Sequence, residues 1–87
     1  MNLSQADIKA ARFDDGYDCP IFRLLSRNGF AVDMVFGSSW RDKAGCVYPF
    51  SPTFQKLSLD LARETDAASN ENRPVDFSQF IGRKVSL

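Results

Sequence analysis

Apolar positions recur along this chain in two rhythms, one helical and one extended. The first helical signal is Leu3-Ser4-Gln5-Ala6-Asp7-Ile8. Ser4 is placed to cap the first turn, Asp7 is its capping-box partner three positions on, and Leu3 and Ile8 occupy the two staple positions. The pattern predicts about two turns of helix, through Arg12. Its apolar side is thin (Ile8, Ala11, Phe13), so it needs a surface to dock on. Asp14-Asp15-Gly16-Tyr17-Asp18 carries turn chemistry and reads as a loop. Asp18-Cys19-Pro20-Ile21 then starts a second helix. Asp18 or Cys19 is its cap, and proline fits the first turn because its missing N–H would have no partner there. Ile21, Leu24 and Leu25 share one face, Arg23 and Arg27 lie one turn apart on another, and Asn28-Gly29 is the stop.

The extended rhythm begins at Phe30. Phe30, Val32, Met34 and Phe36 alternate with Ala31, Asp33 and Val35, which predicts a strand with the two sets on opposite faces. Gly37-Ser38-Ser39 breaks or bulges it, and Trp40-Arg41 extends a second arm. Asp42 to Gly45 is a turn leading into a strand over Cys46-Val47-Tyr48-Pro49-Phe50. Pro49 cannot donate to a ladder, so that strand lies at an edge or ends there. Ser51-Pro52 opens a long helix. Phe54, Leu57, Leu61 and Ala68 form its apolar stripe, and Lys56, Asp60, Arg63 and Glu64 decorate the remainder. Residues 67–72 form its exit, closed by Arg73-Pro74. Val75 to Gln79 alternates as a short strand, and residues 82–87 form a basic tail.

The predicted order is α-α-β-β-α-β. It describes a small α+β domain with a three-stranded antiparallel sheet, a mixed sheet also being permitted, and helices packed on one face. The predicted core is Ile21, Leu24, Leu25, Val32, Met34, Phe36, Val47, Phe54, Leu57, Leu61, Val75 and Phe77.

Composition narrows the picture. A chain of 87 residues holds one domain, spanning 1–87 with 83–87 as a flexible tail. Its 44% hydrophobic and 25% charged content is that of a folded globule. Lys and Arg number 11 against 11 Asp and Glu, which argues against both a basic nucleic-acid coat and an acidic DNA mimic. The chain contains no histidine, so the commonest general base and metal ligand and every histidine-dependent triad are missing. No apolar run reaches the length of about 18 residues that a membrane span needs, and the first residues lack a signal-peptide pattern. The expected location is the cytoplasm, where Cys19 and Cys46 stay thiols and behave as small buried hydrophobes.

Each constellation with chemical promise has a plainer reading beside it. Asp14, Asp15 and Asp18 resemble a hard-cation loop but lack the terminal glutamate of an EF-hand. A solvated loop serving the next helix start explains them better. Asp33 is a general-base candidate or an outward strand position. Cys19 at a helix start has no histidine to act as its base. No phosphate-binding glycine motif occurs. The sequence predicts no catalytic residue, no cofactor site and no metal site, and hence no enzyme. The richest segment is Trp40-Arg41-Asp42-Lys43 with Tyr48, because Trp, Arg and Tyr combine contact area with polar handles. Trp40 either caps the core edge or stands in a partner-binding hairpin. Residues 19–45 also carry Arg23, Arg27, Arg41 and Lys43 against Asp33 and Asp42, a weak basic footprint with Trp40 as a stacking platform.

Asp18-Cys19-Pro20-Ile21, Leu25-x-Arg27-x-Gly29-Phe30, a strand ending at Gly37 and the late Pro74-Val75-x-Phe77 together resemble small uncharacterised proteins of bacteriophages and prophages. The resemblance implies a host-takeover or anti-defence factor of anti-CRISPR build, acting in the cytoplasm of a bacterial host. The expectation is a non-enzymatic inhibitor, monomeric or homodimeric, that binds a host protein or complex and blocks it sterically. Trp40, Arg41, Tyr48, Arg23 and Arg27 are the expected contacts. The second reading is a nucleic-acid-binding regulator that uses the Arg23/Arg27 helix face.

Overall fold

The structure, a computed structural model, describes residues 1–9, 11 and 16–87. Helix α1 (Gln5–Ile8) and helix α2 (Pro20–Arg27) precede strands β1 (Val32–Val35), β2 (Ser39–Asp42) and β3 (Val47–Pro49). Helix α3 (Pro52–Asn70) and a single 3₁₀ turn (Ser78–Phe80) follow. The fold is α+β, with a three-stranded antiparallel sheet in the order β1-β2-β3. Val32, Val35 and Trp40 of the sheet bury in one core with Ile21, Leu24 and Leu25 of α2 and Phe54, Leu57 and Leu61 of α3. No helix among the described residues is long and apolar enough to cross a membrane.

The caps fall where the sequence places them. The Asp7 carboxylate accepts the Ser4 N–H at 2.8 Å, while Leu3 buries in the core and Ile8 packs against it. Cys19 is the cap of α2, its sulfur accepting the Phe22 N–H at 3.3 Å. At the other end Gly29 adopts φ +90°, a conformation costly for any residue with a Cβ. There the Phe30 N–H reaches the Leu25 carbonyl and the Gly29 N–H reaches Ser26, both at 3.1 Å. These two bonds make a Schellman ending. Ser51 caps α3, with Pro52 at its first position, and α3 buries the predicted stripe of Phe54, Leu57, Leu61 and Ala68. The predicted continuation of α1 through Arg12 lies in part outside the described residues, as do Phe13, Asp14 and Asp15.

The third strand is not the predicted one. Residues 75–79 form no strand, and the hairpin of β2 and β3 completes the sheet instead. The alternation of Val75, Phe77 and Gln79 is overridden by hydrogen bonding, first because Glu64 of α3 accepts the Asp76 N–H at 2.9 Å. The Asp76 side chain in turn accepts the Ser78 N–H at 3.0 Å and so tips the chain into the 3₁₀ turn. Phe77 buries as expected, whereas Val75 is exposed.

A β-bulge accounts for most of the remaining core differences. Val32 faces Asp42 and Met34 faces Arg41, so Asp33 is an extra residue with no opposite number. The alternation changes phase there. Val35 turns inward, only 8% exposed, while Phe36 stands 38% exposed and Met34 is partly covered. Val47 pairs with Arg41 and faces away from the core.

The chain end is held rather than loose. Asn2 and Lys84 form an antiparallel bridge. The Val85 N–H reaches the Met1 carbonyl at 2.8 Å, the Leu3 N–H reaches the Arg83 carbonyl at 3.0 Å, and Val85 is buried. Leu3 and Val85 bury together in the core, which explains why residues 83–85 leave the flexible-tail expectation behind.

Candidate functional site

The sheet hairpin is built around one aspartate. Asp42 Oδ1 accepts the backbone N–H groups of Ala44 and Cys46 at 3.0 and 2.9 Å, which closes the turn. Its Oδ2 accepts the Tyr48 hydroxyl at 2.9 Å. The bond from Tyr48, helped by those from the turn backbone, holds the Asp42 carboxyl below its ordinary range. The same bond raises the Tyr48 phenol. Tyr48 is therefore fixed at its tip, and its ring stacks on Trp40 with centroids 4.7 Å apart and planes at 27°. Phe30 meets Trp40 edge-on at 5.9 Å.

These three rings, with Pro49, Ser51 and Leu87, line an apolar groove of about 390 Å³. Tyr48 (41%), Pro49 and Leu87 (59%) are exposed in it, whereas Trp40 is only 6% exposed. Trp40 thus supports the groove from beneath. Tyr48 and Pro49 belong to β3, a sheet edge. Bonds from Phe50 N–H to Ser38 and from Asp42 N–H to Cys46 put the hydrogen-bonded pair between them at Trp40 and Tyr48. Pro49 consequently has its nitrogen on the open side, where no ladder bond is forfeited.

The five predicted contact residues do not converge. Trp40 and Tyr48 meet directly. Arg41 is the next residue along β2 and so takes the opposite sheet face, paired with Val47. There its guanidinium reaches Asp33 Oδ2 at 2.7 Å and lies 5.7 Å from the Phe36 ring centroid. Arg23 is bound to Asp18 at 2.6 Å and to the Lys9 carbonyl. Arg27 is bound to the buried Asp7 at 2.9 Å and to the Asn2 carbonyl at 2.7 Å. Each of the three arginines anchors its own carboxylate, and Arg23 and Arg27 serve to hold the N-terminal segment on α2. Three of the four cations of the predicted basic footprint are thus ion-paired, and Lys43 stands exposed at the hairpin turn.

The described aspartate candidates, Asp33 and Asp18, are ion-paired as well, Asp33 at the bulge and Asp18 with Arg23. Asp14 and Asp15 lie outside the described residues. Among the described residues no group of three Cys, Asp or Glu side chains is placed to hold a metal ion. Cys19 is buried beside a cavity of about 360 Å³ also lined by Gly16, Met34 and Ser58. Cys46 departs from the expected burial: it is an exposed free thiol, because it sits on the outside of the Asp42 turn.

One arrangement escaped the sequence reading. Glu64 is buried rather than decorating the solvent face. Arg73 grips both of its oxygens at 2.7 and 3.0 Å, the Asp76 N–H donates at 2.9 Å, and Gln79 donates at 3.2 Å. The Arg73 bonds, then that from Asp76, push the Glu64 carboxyl down to about 2. The signal was its spacing: Leu57, Leu61, Glu64 and Ala68 share one helical stripe, so a carboxylate there must bring a partner. This clamp ties residues 73–79 to α3 and is structural. No protein-family profile, no curated protein and no solved structure matches this chain.

Proposed function

We propose that this protein is a non-enzymatic binding domain of the phage type that attaches to a bacterial host protein or defence complex and blocks it sterically. The observation that carries the proposal is the groove of Phe30, Trp40, Tyr48 and Pro49 at the sheet edge. Aromatic side chains backed by a packed core lose little entropy on contact, and such anchors dominate protein interfaces. Tyr48 is the principal contact, Pro49 and Leu87 flank it, and Trp40 fixes its ring. The paired arginines favour this reading over a nucleic-acid regulator, since a cation already holding a carboxylate releases fewer counterions on meeting phosphate.

The test is affinity capture from bacterial lysate, with the captured complex then exposed to rising salt. A single protein or complex retained at high salt is expected. Retention of nucleic acid alone, released steeply by salt, overturns the proposal in favour of the regulator. Recovery of no partner from host lysates overturns the proposal as well.

A further inference from the structure

We draw no further inference here: the strongest candidate, the apolar groove between β3 and Leu87, belongs to the contact surface already proposed, and nothing in the structure shows what else covers it.

Discussion

The bulge at Asp33 makes a prediction that inverts the order expected from side-chain size. Read as an unbroken strand, β1 would bury Phe36 and expose Val35. Truncating Phe36 to alanine would then cost about 3–5 kcal/mol, the usual loss for a core phenylalanine. The extra residue reverses the two roles. Val35 is 8% exposed and packed in the core, whereas Phe36 is 38% exposed. Val35→Ala removes two buried methyl-sized groups at about 0.8 kcal/mol each and leaves a small cavity, for a total of about 2 kcal/mol. Phe36→Ala loses its partial cover and the Arg41 contact, worth about 1 kcal/mol at a solvent-facing site. Urea unfolding followed through the fluorescence of Trp40, the single tryptophan, measures both. With a slope of about 1 kcal/mol/M for so small a domain, Val35→Ala lowers the midpoint by about 2 M and Phe36→Ala by about half as much. A larger loss for Phe36→Ala than for Val35→Ala would refute the bulge and the register built on it.

Two other outcomes follow from the same geometry. The Glu64 carboxyl is lowered from an ordinary 4.5 to about 2, so the clamp stabilises fully above 4.5 and its contribution disappears as pH falls toward 2. Glu64→Gln is expected to be less stable than the wild type at neutral pH, with the gap between their urea midpoints closing in acid; a constant gap contradicts the clamp. Iodoacetamide is expected to label Cys46 alone in the folded protein and Cys19 only after denaturation, as read by peptide mass spectrometry, since one thiol is exposed and the other buried. Equal labelling rates contradict that placement.

Local signals were legible because the residues that make them act at short range. Pro20, Pro52, Ser51 and the Asn28-Gly29 pair state where helices start and stop, and the stripe of α3 states which side buries. Three features were not legible, each for a reason of distance. The bulge depends on how β1 meets β2, and no local pattern in Phe30 to Phe36 announces it. Residues 75–79 alternate like a strand, but the buried Glu64 claims the Asp76 N–H. Trp40 could be assigned to core or surface from sequence, and only the ring packing with Phe30 and Tyr48 decides for burial. The candidate site was half legible for the same reason. Trp40 and Tyr48 pair across the hairpin, but the arginines nearby in sequence were already committed to Asp7, Asp18 and Asp33.

The most direct check on a role in binding is the affinity of a captured host protein for Tyr48→Ala, measured calorimetrically against the wild type with unfolding midpoints recorded in parallel. A well-seated aromatic anchor is worth about 2 kcal/mol, so a loss of roughly thirtyfold in Kd is expected while the variant remains folded. Undiminished affinity in a folded Tyr48→Ala protein would contradict the assignment of the contact surface to this groove.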